Sequence, residues 1–187
     1  AFIMFYMLYG SGWLIEERMN GTIKRLGVGN GAILASLTGS VIAFIIAGLL
    51  QLLLFTLVQR IFFGIILFTG VLSYLVFFAY LLAVISISLF LSSVLRTPSQ
   101  MQAAAPIMAL VTSFAGGCFW NFIEMPDKIA RLSLLTPQGW ALKAANNLLI
   151  SPSDVVAVLP SITILLASGL ILLPVSYMII NMQIKNG

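Results

Sequence analysis

The side chains that could bind a partner or do chemistry are few, and most of them lie in one short segment near the beginning of the sequence. Two acids, Glu16 and Glu17, are followed by three bases, Arg18, Lys24 and Arg25, in a chain of which only 7% is charged. A polar island of this kind either docks a partner protein or forms a solvated loop between two membrane helices. The residues themselves leave both interpretations open.

Gly21 and Thr22 divide this charged segment. Glycine weakens the helix that precedes it, and a threonine side chain can accept a backbone N–H in the first turn of the next helix. The pattern therefore predicts a short amphipathic helix that is interrupted or capped at Gly21.

Catalytic and metal-binding sites are disfavoured by what the sequence lacks. It contains no His and a single Cys, and it offers no cluster of metal ligands. Cys118 has no basic neighbour that would activate its thiol, so we predict a small buried apolar residue there. A glycine-rich loop ending in Lys-Ser/Thr is also missing, so ATP is not expected to bind to this chain. We predict no catalytic residue, no metal and no cofactor.

The composition is that of an integral membrane protein. Of the 187 residues, 61% are hydrophobic, and a soluble domain with this composition could not cover its core with polar surface. The net charge of +4 comes from single bases at the ends of apolar runs, which are ordinary topology signals. We therefore expect membrane lipid around the chain and no nucleic acid as a partner.

The apolar runs predict an all-α fold, a polytopic transmembrane helical bundle that forms one domain over residues 1–187. A full span needs about 20 residues. The expected elements are a partial helix at 1–15, full spans at 32–58, 71–95, 99–119 and 155–180, and short helices within 126–150. The partial helix is interpreted as the second half of a membrane helix of a larger protein.

The interiors of the four full spans carry no Asp, Glu, Lys, Arg or His. A proton-coupled transporter needs such a residue at membrane depth, so this mechanism is excluded. If the chain moves a substrate, the energy is expected to come from another subunit.

Two short helices are predicted before the last span, and both are too short and too polar to cross the membrane. Pro126 begins the first, and Thr136 and Pro137 have the pattern of an N-cap and a first helical residue in the second. The apolar face of the second contains Trp140, Ala141, Ala144, Ala145, Leu148 and Leu149, while Gln138, Lys143, Asn146 and Asn147 point elsewhere. The pair is predicted to lie in the interface or to dip into the membrane, with solvent-exposed loop helices as the alternative.

A stripe of small residues in the span at 32–58 predicts a packing seam for another helix, because small side chains let two membrane helices approach closely. Its members are Ala32, Ala35, Ser36, Gly39, Ala43 and Ala47.

The bases favour one orientation of the bundle. Alternating the spans puts Arg18, Lys24, Arg25, Arg96 and Lys185 on one side, and Arg60, Lys128, Arg131 and Lys143 on the other. The first side is slightly richer, so the positive-inside rule favours it as cytoplasmic. Residues 16–30 and the C-terminus belong to that side.

In their order along the chain, these motifs resemble those of permeases of the type 2 ABC transporter family. Glu16–Leu26 is similar to the acidic-Gly-Thr-x-x-Arg-Leu segment after that family's second membrane helix, and Leu95-Arg96-Thr97 with Gln100 to its short cytoplasmic turn. Gly116-Gly117, Met125-Pro126 and Pro137 with Trp140-Ala141 are similar to the region where two short membrane-dipping helices precede the last span. Two departures are Gly27–Gly31, where the family often has a Pro, and Trp120, where a Pro often follows the double Gly.

The resemblance implies a plasma-membrane permease of six membrane helices, of which this chain holds part of the second and the third to sixth. It also implies a second permease, identical or different, and two separate ATP-binding cassette ATPase subunits that bind ATP and Mg. The implied coupling region, on which an ATPase docks, contains Glu16, Glu17, Arg18, Gly21, Thr22, Lys24, Arg25 and Leu26. The implied re-entrant region contains Gly116, Gly117, Met125, Pro126, Pro137 and Trp140.

The function implied by the resemblance is export of a hydrophobic or amphipathic compound, such as a drug, an antibiotic or a lipid, by alternating access. A second hypothesis is a scaffold or sensor subunit that docks a cytoplasmic partner through residues 16–26 and transports nothing. An accompanying P-loop ATPase would favour the exporter. A channel is disfavoured because no span has the signature of a charged or carbonyl-lined filter.

Overall fold

The computed structural model describes residues 2–20, 30–64, 70–120, 126–151 and 153–186, and within these ranges the chain forms helices and no strand. The helices are α1 (Phe2–Gly10), α2 (Gly12–Met19), α3 (Asn30–Val58), α4 (Val71–Val94), α5 (Pro98–Ala115), α6 (Asp127–Ser133), α7 (Pro137–Ile150) and α8 (Val155–Asn186). A π-helical turn, Gln59–Phe63, continues α3 past Arg60. The predicted all-α fold is confirmed.

Within the part of the chain that the structure describes, three helices are long and apolar enough to cross a membrane, namely Leu34–Phe63, Val71–Val94 and Val155–Gln183. Large apolar side chains cover much of their outer surface. An aqueous protein would bury such side chains, and their exposure on all sides of a bundle is what a lipid solvent permits. The chain is therefore a membrane protein.

The span expected at 99–119 ends earlier than predicted. Helix α5 stops at Ala115, and Gly117 adopts a left-handed backbone with φ of 83° that turns the chain away from the helix axis. Its 18 residues measure roughly 27 Å, which is close to the thickness of the hydrocarbon core. Pro106 lies in the middle of this helix rather than in its first turns.

Helix α4 is the centre of the bundle. Over an apolar stretch of 18 residues in each helix, 61% of the residues are buried in α4, against 17% in α3 and 22% in α8. The core forms around Leu81, Val84, Ile85 and Leu89, and it receives side chains from α1, α3, α5 and α8. The most extensive helix pairing is that of α4 with α8. Every other element is positioned by its contact with this pair or with its neighbours.

The serines of α4 are structural, in line with the usual role of hydroxyls in membrane helices. Ser86 donates to the carbonyl of Leu82 at 2.7 Å, and Ser88 donates to that of Val84 at 2.8 Å. Because these two hydroxyls bond to their own helix, they need no partner on the neighbouring helix, and a close helix contact becomes possible. At Gly169 of α8, an added Cβ would lie 3.3 Å from Oγ of Ser86.

The predicted packing seam of α3 is confirmed at Ser36, which bonds to Glu17, and at Ala47, which packs against the core, but not at its other described members. Ala35, Gly39 and Ala43 are exposed. The face that packs against the bundle contains Leu37, Ser40, Phe44, Gly48 and Leu52. A helix that is apolar on every side has no polar face to fix its rotation, so the residue pattern could not select the inward face. Gly48 is the small residue that packs tightly, because a Cβ there would come within 2.4 Å of Cδ1 of Leu81.

Local hydrogen bonds close the turn between α4 and α5. Thr97 is extended, as a residue before proline should be, and it forms a capping box with Gln100. Oε1 of Gln100 accepts the backbone N–H groups of Arg96 at 3.0 Å and of Thr97 at 3.3 Å. This turn closes α4 and opens α5 at the same end of the bundle.

We expect Gly169→Leu to destabilise the chain by about 1–3 kcal/mol, because the added side chain overpacks the contact between α4 and α8. The measurement is the thermal unfolding midpoint of the purified protein in detergent. Gly39→Leu is the matched control, since a Cβ at Gly39 meets no described atom within 4 Å. Equal midpoints for the two variants would contradict the assigned helix contact.

Candidate functional site

The first charges of the polar island lie on a helix that continues out of the bundle core. Leu14 and Ile15 of α2 are buried, Glu16 is exposed, and Glu17 and Arg18 are half-buried. The helix ends after Met19, where the backbone N–H of Asn20 bonds to the carbonyl of Glu16 at 2.8 Å. Five predicted coupling residues, Gly21, Thr22, Lys24, Arg25 and Leu26, lie outside the described residues.

Arg18 connects three helices through hydrogen bonds, and we call Arg18, Ser93, Leu95 and Gln183 the Arg18 junction. Nη1 of Arg18 donates to the carbonyl of Ser93 at 3.1 Å and to Oε1 of Gln183 at 2.7 Å. Nη2 donates to the carbonyl of Leu95. The amide of Gln183 also donates to the carbonyl of Ser93 at 3.1 Å. The junction thus joins α2 to the last turn of α4 and to the C-terminal part of α8.

The physical basis of the Arg18 junction is the end of a helix in an apolar environment. The last carbonyls of a helix have no intrahelical donor, and the partial negative charge at that end attracts a cation. A guanidinium presents several N–H groups in one plane, so it can bond two carbonyls and an amide oxygen together. Partial burial lowers the pKa of Arg18, but a guanidinium remains protonated at neutral pH.

Glu17 also has a partner within the chain. Its Oε2 accepts a hydrogen bond from the hydroxyl of Ser36 at 3.0 Å, which links α2 to the beginning of α3. Of the three charges described in the coupling region, Glu16 is therefore the one that points to the outside. The sequence assigned all three to docking, and neither internal bond was foreseen.

A second polar cluster lies where α1, α5 and α7 meet, and we call Met4, Thr112, Gly116, Thr136 and Gln138 the Gln138 junction. Nε2 of Gln138 donates to the hydroxyl of Thr112 at 2.9 Å and contacts the sulfur of Met4. Gly116 fits closely beneath α7, since an added Cβ would lie 2.7 Å from Oγ1 of Thr136. Gln138 was expected on the outer face of its helix, but it is buried, because packing against α5 outweighs exposure of its amide.

The described residues of the predicted re-entrant region lie in and around this junction. Gly116 and Gly117 end α5, Pro126 precedes α6, and Pro137 is the first residue of α7. Trp140 donates its indole N–H to the carbonyl of Leu134 at 2.7 Å. Met125 lies outside the described residues. The hydroxyl of Thr136 accepts the N–H of Gly139 at 3.1 Å, which confirms the predicted N-cap.

Two side chains near the Gln138 junction are exposed. Cys118 is exposed, so its predicted burial is wrong: Gly117 turns the chain outward before the thiol could reach the core. Nζ of Lys143 lies 5.3 Å from the ring centroid of Trp140, a cation–π distance.

The turn between α6 and α7 is tight, because a Cβ on Gly139 would come within 2.0 Å of the carbonyl oxygen of Ser133.

We expect Trp140→Phe to reduce the free energy of unfolding by about 0.5–1.5 kcal/mol, since it keeps the ring but removes the N–H donor to Leu134. Thermal unfolding in detergent measures the effect. Trp13→Phe is the control, because Trp13 lies on the exposed side of its helix. If the two variants unfold at the same temperature, the indole bond does not hold α6 against α7.

Comparison with known proteins identifies the family of the chain. A linearmycin resistance permease protein, LnrN of Bacillus subtilis (strain 168), is 26% identical over 166 residues, which cover 89% of this chain and 43% of the relative. The chain thus spans less than half of that relative's length. No solved structure matches the chain. A family model described as ABC-2 family transporter protein matches residues 1–178, and the chain therefore belongs to the ABC-2 transporter family.

Proposed function

We propose that this chain belongs to the transmembrane permease subunit of an ATP-driven exporter. The observation that carries the proposal is the match of the ABC-2 family to residues 1–178. The spans fit this role, because α4 and the region 34–58 of α3 contain no ionisable residue that could drive transport. ATP and Mg would bind to a separate ATPase subunit, and this chain would have no catalytic residue.

The docking region for the ATPase is proposed at residues 16–26. Helix α2 leaves the bundle at the end where α4 and α8 also end, and Glu16 is exposed there. Glu17 and Arg18 have partners within the chain, so we assign the contacts to Glu16, Lys24, Arg25 and Leu26. Gly21 and Thr22 would separate the membrane helix from the docking helix. This end of the bundle would then be cytoplasmic, together with the C-terminus.

A second permease is proposed to face α1 and α5. These helices pack against each other, and each leaves a large apolar face uncovered. The exposed residues of this wall are Phe2, Phe5, Tyr6 and Tyr9 on α1, and Ile107, Leu110, Val111 and Phe114 on α5. An apolar path between two such walls would suit a hydrophobic or amphipathic substrate, moved by alternating access.

The relative supports an antibiotic-like substrate. It is a resistance permease named for linearmycin, and its similarity extends over most of this chain. The proposed export of a drug, an antibiotic or a lipid-like compound takes its direction from that relative and from the apolar walls. A scaffold that docks the same ATPase without transport is the competing function.

We expect Lys24→Glu with Arg25→Glu to abolish ATPase docking, because like charges brought together at an interface cost several kcal/mol, or roughly a hundredfold in affinity. The measurement is co-purification of the ATPase with the full-length permease from detergent-solubilised membranes. Lys128→Glu with Arg131→Glu is the control pair, because both bases lie on the short helix α6, outside the proposed docking region.

The outcomes separate the hypotheses. Undiminished co-purification of the charge-reversed pair would contradict the docking assignment. The scaffold would be favoured if the ATPase binds the unmodified permease but the complex accumulates no amphipathic dye inside inverted vesicles when ATP is supplied.

A further inference from the structure

The position of Arg18 indicates how a movement at the docking region could reach the bundle core. A displacement of α2 can travel along the chain into α1 or sideways into neighbouring helices. The first route crosses Ser11, which interrupts the helix between Gly10 and Gly12 and bonds its hydroxyl to the carbonyl of Leu8 at 2.8 Å. The backbone N–H of Ser11 bonds to the carbonyl of Met7 at 3.0 Å, so this route stays within one short helical segment and reaches α4 only through the packing of α1.

The sideways route ends at the two helices that pack most extensively against each other. The guanidinium of Arg18 bonds to Ser93 and Leu95 at the end of α4, and to Gln183 on α8. These two helices form the most extensive pairing of the bundle, and α4 is its most buried helix. The amide of Gln183 closes the arrangement by bonding to Ser93. One side chain thus holds α2 to both members of the central pair.

We propose that Arg18 is the positioning residue that makes α2, α4 and α8 move as one body when the ATPase displaces the docking region. This inference rests on the proposed function. Arg18 acts through the helix ends that it bonds, and it touches neither substrate nor nucleotide. Its burial and its hydrogen bonds place it apart from the surface contacts assigned to Lys24 and Arg25.

The geometry calls for arginine rather than a simple positive charge. A lysine ammonium is a point charge that cannot reproduce the planar fork over two carbonyls and an amide oxygen. Arg18→Lys should therefore lose the bond to Gln183 or those to α4. Adding Gln183→Glu provides a carboxylate that pairs with the ammonium and restores a link between α2 and α8.

The experiment measures the distance between spin labels on α2 and α8 by pulsed electron resonance. The labels are attached through Met19→Cys and Met182→Cys, both of which replace exposed residues, in a full-length permease that otherwise lacks cysteine. The permease is reconstituted in nanodiscs with its ATPase, and distances are recorded without nucleotide and after trapping with ATP and vanadate. Binding of the ATPase and thermal unfolding are measured on the same samples.

With Arg18 present, we expect the distance to stay constant on trapping. With Arg18→Gln, it should change by about 2–5 Å, the size of helix shifts in switching proteins, while the ATPase remains bound. The Arg18→Lys, Gln183→Glu double variant should restore the constant distance, which a purely structural defect would not predict. Arg96→Gln, at an exposed cation beside the same helix end, should behave as the unmodified protein.

The possible failures are distinguishable. A distance that changes with Arg18 present, or stays constant in Arg18→Gln, would overturn the inference. If Arg18→Gln does not fold, Arg18→Lys keeps the charge but loses the planar fork, and a constant distance in that variant would overturn the inference equally. An unmodified permease that never binds the ATPase would overturn the proposed function itself, and the inference with it.

Discussion

The bonds of Arg18 to the end of α4 are the interaction on which the arrangement of the bundle depends. A membrane helix satisfies its backbone groups internally except at its ends, and an unpaired carbonyl is costly in an apolar environment. The central helix α4 ends just before a proline turn, so its last carbonyls cannot be used by a continuing helix. Arg18 supplies donors to these carbonyls and, in doing so, ties α2 to the central pair of α4 and α8.

The two polar junctions hold different sets of helices together. The Arg18 junction ties α2, α4 and α8, whereas the Gln138 junction ties α1, α5 and α7. Between them the helices pack through apolar side chains and small residues such as Gly48 and Gly169. Lipid removes the hydrophobic incentive for helix association, so close packing and a few polar bonds must provide it. Helices held at their ends and packed by dispersion in the middle can shift without breaking buried polar bonds.

The sequence was sufficient for the fold class and for the helix starts that depend on local chemistry. Thr136 caps its helix through a bond to a residue three positions away, so the relevant partner is visible in the chain. Thr97 caps α5 in the same way, although that cap was not predicted. Long-range contacts were not visible. The inward face of α3 could not be predicted from a helix that is apolar all round, and the burial of Gln138 depends on Thr112 and Met4. Gln183 stands among other polar residues, Asn181, Lys185 and Asn186, so nothing in the sequence marked it as the partner of Arg18.

The same distinction explains why charge alone was a poor guide to the candidate site. Arg18, Lys24 and Arg25 are indistinguishable as bases in one polar segment, yet a cation near a helix end and a cation on a docking surface answer to different constraints. The first must reach carbonyls that are already fixed, so its geometry matters, and arginine is the side chain that meets it. The second needs only the right sign at the right distance, which lysine provides as well. The bonds that Arg18 makes inside the bundle therefore distinguish it where its charge does not, and Glu17, bonded to Ser36, belongs with Arg18 among the groups that hold the bundle.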